Sequence, residues 1–315
     1  MNSAATVTPQ DTHIVEYLEV LKTQRNLSPH TLSNYQLDLL DLASFANGKD
    51  IFSLTYFDLR RLTSQRHAQG LSASSIARKL SCWRGFYRWL ADQTPLAANP
   101  VDGIKAPKKE KSLPKALGAD DAVRLVSQTS HGAMNEPTPC VNRAMFELLY
   151  SSGLRVSELV GLDIADIKEK GHTSLGWVDI NQAEVHVTGK GNKQRIVPVG
   201  KPALAAISEW LLLRPMLLKN DAHPLFLTER GTRMSVRLVQ LRLKAHAQLI
   251  GIPADVHPHV LRHSFASHVL QSSGDLRAVQ EMLGHSSIAA TQVYTSLDFQ
   301  HLAKVYDASH PRAKK

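Results

Sequence analysis

The chain has 315 residues, more than one hydrophobic core usually organises, so two domains are expected. Its 43% apolar and 21% charged residues are ordinary for a soluble globular protein. Two cysteines, Cys82 and Cys140, exclude a disulfide scaffold, lack metal-ligand spacing and are expected as buried thiols in helices. The segment Met1 to His13 has no apolar signal core. The most apolar run, Ala203 to Leu213, is too short to span a bilayer and carries Ser208 and Glu209. A cytoplasmic protein with no membrane contact is therefore expected.

The formal net charge is +9, by itself a weak pointer to nucleic acid. Its distribution says more: residues 76–115 hold nine Lys/Arg against three Asp/Glu, whereas residues 1–75 hold six against seven and residues 116–315 twenty-two against eighteen. The first hundred residues read as helices. Ser28-Pro29 is a cap followed by a proline at the first helical position, leading into Leu32, Tyr35, Leu39 and Leu42. Further starts are expected at Ser53 and near Ser72. In the helix from Ser74 to Ala91, Ile76, Leu80, Trp83, Tyr87 and Leu90 form one apolar stripe. Ser74, Arg78, Ser81, Arg84, Gly85 and Arg88 fall on a different arc, small and cationic. That arc suits a DNA groove, with Arg78, Arg84 and Arg88 as DNA contacts; it also suits an ordinary solvated face.

Lys105 to Lys115 is lysine-rich with two prolines and reads as a basic linker. Beyond it, helices are expected at about 119–129, 139–152, 202–218, 235–250, 260–271 and 275–283. Between them lie strand-like runs, Gly176–Ile180, Glu184–Thr188 and Gln194–Val199, rich in β-branched residues. Gly189 to Lys193 supplies the turn between the last two.

Five segments carry chemistry. In Leu149-Tyr-Ser-Ser-Gly-Leu-Arg-Val-Ser-Glu-Leu159 a glycine breaks one helix and puts Arg155 at the start of the next. In Thr188-Gly-Lys-Gly-Asn-Lys-Gln-Arg195 glycines flank Lys190, so the lysine projects from a tip. In His257-Pro-His-Val-Leu-Arg-His-Ser-Phe-Ala266 a proline starts a helix with His259 and Arg262 on one face. Leu283-Gly-His-Ser-Ser287 is a helix end with His285 in the bend. Ile288 to Thr295 places Tyr294 nine residues after His285. Each alone has an ordinary reading. Gly-Lys-Gly is a common hairpin tip and not a P-loop, and His259 with His263 has zinc spacing but lacks the Glu of the metalloprotease motif.

Together these segments resemble the active-site set of the tyrosine recombinases, the lambda-integrase-type family. Arg155, Lys190, the His259-Val-Leu-Arg262 motif, His285 and Tyr294 match its six positions in chain order. The likeness covers essentially the whole chain and points to the bacterial Xer proteins. Leu149 to Ile164, His257 to Gly284, and Thr295 to Leu302 through His310-Pro-Arg-Ala313 look like the C member of the Xer pair. One departure is the stretch between Ala165 and Glu184, longer than a minimal Xer hairpin approach.

The resemblance implies a mainly α fold with a small β-sheet. A helical, SAM-like core-binding domain (1–104), the linker (105–115) and a mixed α/β catalytic domain with a C-terminal interaction tail (116–315) would form a C-shaped clamp on DNA. The implied reaction is site-specific recombination through a 3′-phosphotyrosyl intermediate and a Holliday junction, with no cofactor and no metal. Tyr294 is the implied nucleophile. Arg155 and Arg262 are suited to the phosphate oxygens because guanidinium forks match phosphate geometry. His259 and His285 can donate to the same oxygens or accept the tyrosine proton; family likeness favours His259 as base. Lys190 is the implied general acid, and Glu158, three residues after Arg155, orients an active-site partner. Implied partners are a double-stranded recombination site, a XerD-like recombinase in a tetramer of two copies each, and a DNA translocase of the division machinery. The implied task is resolving chromosome dimers at cell division. Leu297, Phe299, Leu302, Val305 and Tyr306 offer an apolar face to a neighbouring protomer, or to their own domain. Rival readings are a type IB topoisomerase and a non-catalytic DNA-binding protein on the same scaffold.

Overall fold

The computed structural model describes residues 9–47, 49–96, 98–108, 116–128, 136–189, 192–252, 255–284 and 296–313. Contacts divide the chain into two units, Met1–Ser112 and Leu113–Lys315. No helix among the described residues is long and apolar enough to cross a membrane.

The first unit is helical: α1 (Pro9–Thr23), α2 (Pro29–Ala46), α3 (Tyr56–Ala68) and α4 (Ala73–Ala91). Ser28 caps α2 by accepting from the Thr31 amide, with Pro29 in the first turn where a missing N–H costs nothing. Ser72 caps α4 in the same way. Ser53 does not start a helix; it ends a short 3-10 turn, Ile51–Ser53. The cap of α3 is Thr55, because Asp58 three residues on completes a capping box with it. The expected stripe of α4 is buried, and Lys79, Cys82 and Phe86 are buried with it. Two polar groups pin the stripe: the Trp83 indole donates to the Asp38 carbonyl and the Tyr87 hydroxyl to that of Ile51, each at 2.8 Å. Such partners make it possible to bury an aromatic with a polar tip.

The second unit comprises α5 (Ala119–Ser127), α6 (Pro137–Ser152), α7 (Val156–Val160), strands β1 (Lys168–Glu169) to β5 (Gln194–Pro198), then α8 (Lys201–Leu213), α9 (Val236–Leu249), α10 (Pro258–Ser273), α11 (Leu276–Leu283) and α12 (Ser296–Ser309). From Ala144 to Leu154 every residue is buried, so the second half of α6 is the axis of the core, with α5, α8 and α10 against it. Strands β3 (Gly176–Asp179), β4 (Glu184–Thr188) and β5 form an antiparallel sheet in chain order. Val178, Val185 and Val197 lie in register across it as a buried row. The extra length between Ala165 and Glu184 is a separate small hairpin of β1 and β2 (His172–Thr173). Cys140 is buried in α6 and Cys82 in α4.

Helix α12 packs on α10 and β5. At Leu302, Val305 and Tyr306, the face that the sequence offers to a neighbouring protomer lies in or against the core of its own unit. The Tyr306 hydroxyl is 2.8 Å from Ser151 Oγ, which also accepts from the Gly200 amide at 2.7 Å. Packing in cis satisfies both this hydroxyl and the apolar ring. The side chains of Leu297 and Phe299 lie outside the described residues.

Candidate active site

Of the six family positions, Arg155, His259 and Arg262 are described; Lys190, His285 and Tyr294 lie outside the described residues. The local sequence explains where the first three sit. Helix α6 ends on Gly153 at φ +55°, and a Cβ there would run into the Phe265 ring. Glycine alone meets both demands. The chain turns through buried Leu154 and reaches Arg155 as the N-cap of α7. One turn into α7, Glu158 accepts from the Arg155 amide at 2.7 Å and from its guanidinium at 2.8 Å.

Glu158 also receives a second arginine. Arg195, on β5 and 4% exposed, donates through Nη1 to Glu158 Oε1 at 2.8 Å and through Nη2 to Oε2 at 2.7 Å. Burial pushes the Glu158 carboxyl up, but Arg195 and then Arg155 outweigh it and hold its pKa at about 2. Glu158 is therefore a carboxylate throughout the neutral range.

Arg262 stands on α10 beside this pair. Its Nη1 donates to the Gly153 carbonyl and its Nη2 to that of Leu283, both at 2.5 Å. Burial first, then the positive charge of Arg155, bring it down to about 10; it stays protonated at neutral pH. Helix α10 is itself fastened: Ser264 Oγ accepts from the Leu117 amide at 2.9 Å, and His268 bridges the Tyr150 hydroxyl and the Leu117 carbonyl. His259, in the first turn of α10, is exposed. Loss of water where the ring meets the protein, then the charges of His257, Arg262 and Arg155, lower its pKa and favour the neutral imidazole.

Three arginines converge on one helix end. At the C-terminus of α11, Met282 O accepts from Arg195 at 2.8 Å, Leu283 O from Arg262, and Gly284 O from Arg155 at a longer 3.5 Å. These are carbonyls that a helix leaves without internal partners, at the negative end of its dipole. They gather cations without neutralising them. Among the described residues the cluster has three guanidinium charges and one carboxylate, an excess suited to an anion with oxygens to spare, such as a phosphodiester.

Arg195 has no role in the sequence reading. Its signal was legible: it alternates with buried Val197, so a cation occupies a core-facing strand position.

The cationic arc of α4 differs from its sequence reading at Gly85. The close approach that Gly85 permits is filled by α1, since a Cβ there would stand 2.5 Å from the Tyr17 hydroxyl oxygen. Arg78 is paired with Asp38 and donates to the Asn34 carbonyl. Arg84 donates to the Val101 and Ile104 carbonyls and lies 3.4 Å from Asp102. Arg88 is exposed.

Comparison with known proteins agrees with this fold. Residues 115–301 match the phage integrase family and residues 14–94 the phage integrase N-terminal SAM-like domain. The chain belongs to the phage integrase family of tyrosine recombinases, site-specific recombinases that cleave and rejoin DNA. It is 54% identical to tyrosine recombinase XerC 1 of Ralstonia nicotianae, over 98% of this chain and 95% of that protein. It is 45% identical to tyrosine recombinase XerC of Escherichia coli, over 98% of this chain and 99% of that protein. In fold it is similar to a lambda integrase dimer bound to a core site, with a TM-score of 0.66 at 17% identity over 90% of this chain and 98% of that one. The integrase of transposon Tn1549 with circular intermediate DNA gives 0.67 at 16% identity, over 92% of this chain and 98% of that one.

Proposed function

We propose that the chain exchanges strands between two DNA recombination sites, using Tyr294 as nucleophile. The observation that carries this reading is the surplus of fixed cations at the α11 terminus, directly before the chain segment that contains His285 and Tyr294. Tyrosine titrates near pH 10, so about one in a thousand is ionised at neutral pH and attack needs a base or a cationic field. Neutral His259 takes the tyrosine proton as the oxygen attacks phosphorus. Arg155 and Arg262 bind the non-bridging oxygens, where negative charge grows in the transition state, and His285 donates to the same oxygens. Lys190 gives a proton to the departing 5′ oxygen. Glu158 aims Arg155. The 3′-phosphotyrosine keeps the energy of the broken bond, so rejoining needs no ATP.

In this reading, residues 1–104 bind the core of the site, with Arg88 of α4 against a phosphate and Arg78 and Arg84 beside it. Residues 105–115 link them to the catalytic part. Two copies act with two copies of a XerD-like recombinase through a Holliday junction, resolving chromosome dimers in the cytoplasm at division, under a DNA translocase. The names of the XerC relatives support this setting. The test is a plasmid with two chromosomal recombination sites, incubated with this protein and a XerD-like protein, together and separately. The expected result is junctions and resolved circles only with both. Relaxation of a one-site plasmid by this protein alone, without junctions, would speak for a topoisomerase instead.

A further inference from the structure

The Arg195 side chain donates three hydrogen bonds at the site, against two each from the side chains of Arg155 and Arg262. Its Nε holds the Met282 carbonyl at the end of α11, and its two terminal nitrogens hold both oxygens of Glu158. Two glycines border it, Gly284 closely and Gly189 with room for an ordinary contact. A Cβ on Gly189 would lie 3.5 Å from Arg195 Nη1 and 3.6 Å from Glu158 Oε1; a Cβ on Gly284 would lie 3.1 Å from Arg195 Cδ. Gly189 also closes the β4–β5 turn, donating to the Lys193 carbonyl at 2.8 Å. In the chain, Gly189 directly precedes Lys190 and Gly284 directly precedes His285. One guanidinium thus borders the glycines that precede the proposed general acid and a phosphate donor in the chain, and bonds the carboxylate that holds Arg155.

We propose that Arg195 is a positioning residue for strand cleavage: fixed on the Met282 carbonyl and packed beside Gly284, it locks Glu158 and through it aims Arg155 at the phosphate. This rests on the recombinase reading above. The geometry needs a planar fork. Three donors leave Arg195 in fixed directions, two to one carboxylate and one to a carbonyl on a different helix, and a lysine ammonium on a flexible stem does not reproduce that set. Small displacements matter here, because a 1 Å misplacement near a reacting centre costs about 100-fold in rate.

The test uses the full chain and nicked recombination-site DNA at saturating protein, reading single-turnover covalent cleavage, DNA affinity and melting temperature. Arg195→Lys keeps a positive charge for Glu158. It should melt and bind DNA close to the native protein while cleaving about 100-fold more slowly. A plain charge-balancing role would be rescued by lysine. Arg195→Met leaves Glu158 buried with Arg155 alone, so Arg195→Met/Glu158→Gln, which removes both charges, guards against a folding defect. The pair should melt closer to the native protein than Arg195→Met and still cleave no faster. A cycle with Glu158→Gln should show effects on cleavage that overlap and do not add. Native-rate cleavage by Arg195→Lys, losses that track melting or affinity, or additive losses would each overturn the role of Arg195 alone. No covalent cleavage by the native protein would overturn the recombinase reading and this proposal with it.

Discussion

Glu147 and Glu158 are both buried carboxylates of the second unit, and both are held by arginine, but their charge balance differs. Glu147, fully buried on α6, faces Arg312, which donates through Nε to Oε2 at 2.9 Å and through Nη2 to Oε1. One carboxylate meets one guanidinium, and the result is a fastener that seats the chain after α12 on the core. Glu158 serves Arg155 and Arg195 with Arg262 adjacent, and the surplus charge is held on backbone carbonyls. The first unit has an intermediate case, where Asp38 and Asp41 meet Arg66, Arg78 and Lys79. Burial of an ion pair therefore does not mark a site. What sets the proposed site apart is the larger surplus of fixed cations beside the exposed His259 imidazole.

The contrast is sharpest where one partner is removed. Arg312→Ala strands Glu147 as an unpaired buried charge and should destabilise the second unit by about 3–5 kcal/mol, measured by denaturant unfolding, with cleavage per folded molecule unchanged. Arg262→Ala should do the reverse in emphasis: cleavage falls about 10²–10³-fold at saturating DNA while affinity changes little. Equal losses of rate and stability in both variants would erase the distinction.

Acid should separate the two regions by window, since both lose stability as pH falls. His310 sits among Tyr150, Phe265 and Tyr306, and burial drops its pKa from 6.5 to about 3. Between those values the unfolded chain binds a proton that the folded chain refuses, so this contribution is whole above pH 6.5 and shrinks as pH falls. Glu158, lowered to about 2 from 4.5, contributes fully above pH 4.5 and loses that contribution only as pH falls towards 2. From pH 6.5 to pH 5 the largest single loss should come from His310, on the order of 2 kcal/mol, beside those of His186, His246, His259 and His268, whose pKa values burial also lowers; His310→Phe should reduce the slope in a melting series. A smaller effect belongs to the first unit: Thr55→Ala removes the α3 cap and should cost about 1 kcal/mol by thermal melting, without changing cleavage per folded molecule.

Local signals were the most legible. Ser28-Pro29, Ser72, the α4 stripe and the three valine-rich strands follow from capping chemistry and periodicity, which act over a few residues. Ser53 and Thr55 are both cap-type residues, and Asp58, three residues after Thr55, decides between them by completing its capping box. The β1–β2 hairpin was illegible, since two-residue strands carry no alternation. The α4 arc showed which residues share a face but not that Asp38, 40 residues earlier, would meet Arg78, or that Tyr17 would approach Gly85. In the catalytic unit, motif likeness named Arg155, His259 and Arg262. Alternation with Val197 puts Arg195 at a core-facing position, but its partners Glu158 and Met282 are brought to it only by the fold.

In the proposed reaction the cation cluster serves attack by Tyr294. The direct measurement is incubation of native protein and Tyr294→Phe with nicked recombination-site DNA in EDTA, followed by denaturation and peptide mapping of any protein–DNA adduct. The expected result is an adduct at Tyr294 in the native protein and none in Tyr294→Phe. An adduct that persists in Tyr294→Phe, or one that maps to another residue, would contradict it.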